Sequence, residues 1–308
     1  MISKKSTQLF YRYYAEWIGL YKINAVREVT LDKYYLTLHW LRALAPTLKL
    51  NQLNRRTYQK LINDYAIDHE RQTTIDFHHQ VKSAILDALD DGLIDTNPAR
   101  KVIIKGRKPR PKKLKYLSQA QLQLVIKNLN LKTNLNWDWF ILLVAKTGIR
   151  FAEGLGVTPE DFDFEKGQLT INKTWNYRQA SGGFQPTKNT SSVRKVKLDL
   201  KLASQFSKLI QNLPSGKPIF VNGRVFNSTI NHRLTILCKQ AKVPVITIHG
   251  LRHTHASLLL FAGVSIATVA KRLGHSSITT TQKTYLHIIN ELESQDNDKI
   301  MHEMSVLM

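Results

Sequence analysis

Between Arg100 and Lys115 the chain carries nine basic residues, no acidic one, and the prolines Pro109 and Pro111. Such a run cannot enter an apolar core, because its charges repel one another and proline donates no backbone hydrogen bond. It therefore divides the chain, and predicts two separately folded regions joined by an extended linker. With 308 residues in all, each region is long enough to bury a core of its own. Two uses of the linker are open, an ordinary solvated hinge or a basic strap along a phosphate backbone. The overall charge favours the strap: Lys and Arg number 45 against 23 Asp and Glu, a net charge of +22. A chain that basic repels itself unless its working partner is a polyanion, and nucleic acid is the commonest one. The candidate phosphate contacts in the linker are Lys105, Arg107, Lys108, Arg110, Lys112 and Lys113.

Several classes fall away. Cys238 is the only cysteine, which excludes a disulfide framework or a paired-cysteine zinc site and points to a reducing compartment. Met1–Trp17 contains Lys4, Lys5 and Arg12 and no apolar stretch of a secretory signal. The uncharged run Ala256–Ala270 is too short to span a bilayer and is interrupted by Gly263. The expectation is a cytoplasmic protein that does not engage a membrane.

Residues 1–99 read as a helical domain. Phe10–Leu20 carries Tyr13, Trp17 and Leu20 on one stripe. Thr30 is the expected N-cap of a second helix, in which Leu31, Tyr34, Tyr35, Leu38 and Leu41 recur until Pro46. Arg56–Ile67 and Thr74–Leu89 complete a set of four, the last closed by Asp91-Gly92. Residues 100–116 are the linker, and from Leu117 the pattern is mixed. Helices are predicted from Ser118 to Leu129 and over Trp137–Val144. Gln168–Tyr177 and Ser192–Leu198 alternate like strands, and Ser181-Gly182-Gly183 between them predicts one small antiparallel sheet. Helices return over Leu202–Leu213, Phe226–Ala241, Ile248–Phe261, Ile266–Leu273 and Thr279–Leu286. The expected class is multi-domain and mainly α, with an α+β second domain over 117–290.

Four clusters in that second domain carry chemistry. They are Thr147-Gly148-Ile149-Arg150 with Glu153, Lys188 to Arg194 on the expected hairpin, His249-Gly250-Leu251-Arg252-His253, and Leu273-Gly274-His275 followed ten residues later by Tyr285. Singly each is weak. Arg150 could simply bridge to Glu153, a hairpin lysine is usually solvated, and His249 with His253 lacks the glutamate and third ligand of a zinc helix. Together the clusters supply fixed cations and proton donors without the carboxylate groups that hold paired magnesium ions. That inventory suits phosphoryl transfer with no metal and no cofactor.

At these residues the sequence resembles the tyrosine recombinase (phage integrase) family. The family's TGxRxxE motif is met at Thr147–Glu153, its KTxxSxR motif at Lys188–Arg194 with Asn189 where threonine is usual, and its HxLRH at His249–His253. The LGH box is met at Leu273–His275, and the nucleophile position falls on Tyr285. The resemblance spans nearly the whole chain and implies a SAM-like helical core-binding domain ahead of the catalytic domain. It implies that Tyr285 attacks a DNA phosphodiester to form a 3′-phosphotyrosyl bond, which keeps the strand activated without ATP. Arg150 and Arg252 then grip the non-bridging oxygens, Lys188 protonates the departing 5′-oxygen, His249 accepts the Tyr285 proton, and His275 bonds the phosphate. Glu153 is expected to orient the arginines.

The implied partner is double-stranded DNA with an inverted-repeat core site, bound by a homo-oligomer that is tetrameric when synapsed and can be monomeric without DNA. A directionality factor is a further implied partner. The leading expectation is integration or excision of a phage or other mobile element. The ten-residue spacing from His275 to Tyr285 and the charge favour it over a Xer-type resolvase of chromosome or plasmid dimers. A non-catalytic DNA-binding regulator of the same fold would have no need of the complete set. Residues 291–308 hold five acidic residues and one lysine, with Ile300, Met304 and Leu307 at helical spacing. This tail is read either as packed on, or frayed from, its own domain, or as docking on a neighbouring subunit.

Overall fold

The computed structural model describes residues 7–109, 116–132, 134–285 and Ser305. The chain divides into two compact units, with the boundary between Lys112 and Lys113, inside the predicted linker. Three of the linker cations named above, Arg110, Lys112 and Lys113, lie outside the described residues, as do Ile300, Met304 and Leu307 of the acidic tail.

The first unit is built from α1 (Phe10–Tyr21), α2 (Glu28–Leu44), α3 (Arg55–Asp68) and α4 (Arg71–Asp90). Their apolar stripes meet in one core that contains Phe10, Tyr14, Trp17, Leu41, Tyr58, Ile62, Phe77 and Ile85. Asn54 caps α3, its side-chain oxygen accepting the Arg56 and Thr57 amides. Thr30 is not the N-cap of α2. The helix begins three residues earlier, after an extended Arg27, because helical periodicity locates a helix better than its ends.

The linker's first half belongs to this unit. Val102 and Ile104 pack on its core, and the Gln59 side chain both accepts the Ile103 amide and donates to the Ile103 carbonyl. Gly106 lies so close to α4 that a Cβ there would fall 2.3 Å from the Arg71 nitrogen. The Arg107 guanidinium bonds the Ile67 carbonyl and the Asp68 carboxylate. The paired Arg107 side chain is still 59% exposed, and Lys105 and Lys108 are exposed as well.

The second unit contains α5 (Gln119–Lys127), α6 (Trp137–Thr147), the short α7 (Phe151–Leu155), α8 (Leu200–Ile210), α9 (Asn227–Gln240), α10 (Ile248–Phe261) and α11 (Ile266–Leu273). A further helical run, α12, covers 278–285. α6 is apolar on nearly every side and forms the centre of the core, as an all-round hydrophobic helix must. Packed around it, α10 and α7 place their polar ends beside its C-terminus.

The strand region holds two small antiparallel sheets instead of one. β1 (Phe162–Asp163), β2 (Gln168–Ile171) and β5 (Arg194–Lys197) pair in the order β1-β2-β5, whereas β3 (Lys173–Trp175) pairs only with β4 (Phe184–Pro186). The Ser181-Gly182-Gly183 turn therefore closes the β3–β4 hairpin. Gly182, at φ +63, sits where a Cβ would lie 2.6 Å from the Trp175 ring. The predicted strand Gln168–Tyr177 is split at Asn172, so its two halves serve different sheets.

Candidate active site

The first motif is a helix-to-helix corner. α6 ends at Gly148, whose φ of +68 is the left-handed cap that side chains disfavour. Arg150 then stands at the N-cap of α7, and Glu153 in the first turn accepts the Arg150 amide at 2.8 Å. The same carboxylate takes Arg150 Nη1 at 2.6 Å and Arg194 Nη2 at 2.9 Å. Glu153 is 2% exposed, so one buried anion is shared by two guanidinium groups from distant parts of the chain. Burial alone would raise its pKa, but the adjoining Arg194 and Arg150 charges prevail and hold it below the ordinary carboxylate range.

Arg252 comes from the first turns of α10, which starts at the Thr247 cap. It is 3% exposed, with Nη1 donating to the Gly148 carbonyl and Nη2 to the Leu273 carbonyl, each at 2.7 Å. Arg150 Nη2 donates to the next carbonyl, that of Gly274, also at 2.7 Å. The glycines of two motifs are thus the acceptors that aim two arginines. Burial, then repulsion from Arg150, pushes Arg252 down to about 9, still protonated at neutral pH. Arg150, Arg194 and Arg252 surround a single carboxylate, and that excess of positive charge suits an anion.

His275 follows the left-handed Gly274, and its Nδ1 lies 2.7 Å from the Thr281 hydroxyl. Burial and the three neighbouring arginines push it down to about 4, so it is neutral at pH 7. Tyr285 is 2% exposed and packs among Ala256, Leu260, Val269 and Leu273. Its hydroxyl is 3.0 Å from His253 Nδ1. Burial, opposed by the Arg252 charge, pushes the phenol up to about 12.

The matching family model supplies the assignment: the description Phage integrase family applies to residues 115–291, more than half of the chain. The chain belongs to the phage integrase family. Among its relatives is the integrase of Staphylococcus phage L54a, 24% identical over 97% of this chain and 94% of that one. The fold is that of the Tn1549 transposon integrase solved with transposon right end DNA, at a TM-score of 0.75 and 20% identity over 90% of this chain and 95% of that one. It is also that of a lambda integrase dimer bound to a COC′ core site, at a TM-score of 0.67 and 16% identity over 92% and 78% of the two chains.

As a tyrosine recombinase of this family, the chain brings Arg150, Glu153, Arg252, His275 and Tyr285 into one neighbourhood. Two expected members lie at the surface. Lys188 is exposed beyond β4, although its motif partner Ser192 reaches Arg150 Nη1 at 3.3 Å. His249 is the residue expected to accept the Tyr285 proton. It is exposed and lies edge-on to His253, with ring centroids 4.7 Å apart. The tyrosine meets His253, one helical turn further along α10. Sequence reasoning also assigned nothing to Arg194, although it closes the hairpin motif. Its partner Glu153 lies 41 residues away, a pairing that no local spacing encodes.

The corner makes a direct prediction. In Gly148→Ala the new Cβ would meet His255 Cδ2 at 2.7 Å in a backbone conformation that alanine resists. The left-handed conformation alone costs about 1–2 kcal/mol, so thermal unfolding of the variant is expected below that of the parent, with slower strand cleavage.

Proposed function

We propose that this recombinase cuts and rejoins double-stranded DNA at an inverted-repeat core site, integrating or excising a mobile element in the cytoplasm. The observation that carries the reading is the excess of buried arginine charge around Glu153, next to a buried tyrosine already hydrogen-bonded to histidine.

In this reading a DNA phosphate takes its place by Arg150 and Arg252, whose forked donors match the non-bridging oxygens and stabilise charge as it builds there. The Tyr285 oxygen attacks phosphorus and the bond to the 5′-oxygen breaks. Lys188, carried on the segment after the hairpin, protonates that leaving oxygen. The phenolic proton passes to His253, its acceptor at 3.0 Å, because a phenol pushed up to about 12 does not ionise unaided near neutrality. His275, neutral in the arginine field, hydrogen-bonds the phosphate. The 5′-hydroxyl of a partner strand then displaces the phenol, whose lower basicity makes it a better leaving group than an alkoxide. Because the Tyr285 ring is buried, α12 must shift to bring the hydroxyl in line with the phosphate.

The assembly proposed is a homo-oligomer, tetrameric when two sites are synapsed, with a directionality factor selecting integration or excision. The DNA of the Tn1549 complex and the lambda integrase tetramer bound to a Holliday junction support this by analogy of fold.

The test uses core sites selected by binding from a randomised duplex pool and then nicked beside the scissile phosphate. A denaturant-resistant protein–DNA band is expected; tight binding without that band would overturn the catalytic reading. A net charge of +22 also predicts that affinity falls about a thousandfold between roughly 50 and 200 mM salt, as for a protein displacing counterions from several phosphates. Fluorescence anisotropy across a salt series measures it, and a flat response contradicts a backbone-gripping mode.

A further inference from the structure

His255 and Arg272 touch the site from behind and have no part in the mechanism above. The His255 ring is buried. Its Nδ1 is 3.0 Å from the Ala145 carbonyl, and its Nε2 receives Arg272 Nε–H at 2.9 Å. A carbonyl only accepts and a guanidinium only donates, so the ring is held as the neutral Nδ1–H tautomer. The charges facing it are Arg272, Arg252 and Lys146, from three helices; burial, then Arg272, pushes it down to about 3, which agrees with a neutral ring.

Arg272 reaches the other side of the site. Its Nη2 donates to the Lys146 and Lys197 carbonyls at 3.3 and 3.1 Å, joining α6 to β5. Its own carbonyl accepts Arg194 Nε–H at 2.7 Å, and Arg194 in turn holds Glu153. The His255 ring meanwhile braces Gly148, where no Cβ would fit and whose carbonyl holds Arg252.

We propose that His255 and Arg272 are a coupled pair of positioning residues, one bracing the turn that aims Arg252 and the other holding Arg194 on the carboxylate that aims Arg150. The inference rests on the recombinase reading, since the arginines it aims are those assigned to the phosphate. Arg272 is chosen over an ordinary surface arginine because its donors converge on three separate elements. Histidine is chosen over an apolar residue because only it donates to Ala145 and accepts from Arg272 at once.

The experiment compares the unsubstituted 308-residue chain with Arg272→Leu, His255→Phe, the double variant and His255→Gln. Single-turnover formation of the covalent DNA adduct and DNA affinity are measured separately. Misplacing reacting groups by about 1 Å costs on the order of 100-fold, so each single variant should lose about that much rate while affinity stays nearly unchanged. The double variant should be no slower than the slower single one, and His255→Gln, whose amide oxygen can accept Arg272 Nε–H, should recover most of the rate. Rates left intact in the singles, losses that multiply in the double, or losses tracked by equal losses of binding and melting temperature would each overturn the pairing.

A second measurement needs no turnover. The 15N resonances of the His255 ring should report the Nδ1–H tautomer without titration across about pH 5 to 8, and Arg272→Leu should release it. A ring that titrates like an ordinary histidine in the unsubstituted chain overturns the inference. If the unsubstituted chain forms no adduct, the recombinase reading fails, and the ring measurement still decides whether the pair exists.

Discussion

Tyr285→Phe should abolish the covalent protein–DNA adduct and leave DNA binding intact. The ring's place among Ala256, Leu260, Val269 and Leu273 is apolar, so phenylalanine fills it. What is lost is the hydroxyl and its contact with His253. Removing one partly buried hydrogen bond costs about 1 kcal/mol, so the melting temperature should change little. The chemical loss is total, because no other group in the pocket replaces the attacking oxygen. Denaturing electrophoresis on the nicked duplex, run beside an anisotropy titration, separates the two effects. An adduct persisting in the variant would move the nucleophile elsewhere, and a loss of binding would mean that the ring serves the DNA interface.

Glu153→Ala should cause the largest loss of stability of any single change at the site. The Glu153 side chain is 1% exposed, and the Arg194 side chain paired with it is 6% exposed, so solvent screens little of their interaction. Removing one member of a buried ion pair typically costs about 3–5 kcal/mol, because the surviving charge stays buried and uncompensated. Here two guanidinium groups lose the same anion, and Arg252 loses a carboxylate that favours its protonated form. Thermal and urea unfolding at neutral pH measure the loss, and a change below about 1 kcal/mol would show that the arginines find other partners.

The sign of the pH dependence follows from the depressed Glu153 pKa. Its stabilising contribution is complete above the unfolded-state value of 4.5 and disappears as pH falls through the lower folded-state value. The parent should therefore lose its advantage over Glu153→Ala on acidification below about pH 4.5. An advantage that instead grew in acid would reverse the assignment of charge at the site.

The sequence by itself determined the family, the mainly helical class and the order of the helices. These are local properties. Apolar periodicity defines α6 and α10 within a few turns, and Gly148 with Arg150 and Glu153 encodes its own corner through one cap and one three-residue spacing. α11 ends at the left-handed Gly274 for an equally local reason. Only the tertiary structure decided which groups meet across the chain. His253 meets the Tyr285 hydroxyl across 32 residues of chain. Arg194 joins Glu153, Arg272 joins His255, and the strands divide between two sheets. Each of these depends on where distant elements come to rest on the α6 core, and packing in three dimensions leaves no fixed interval in the sequence from which to read it.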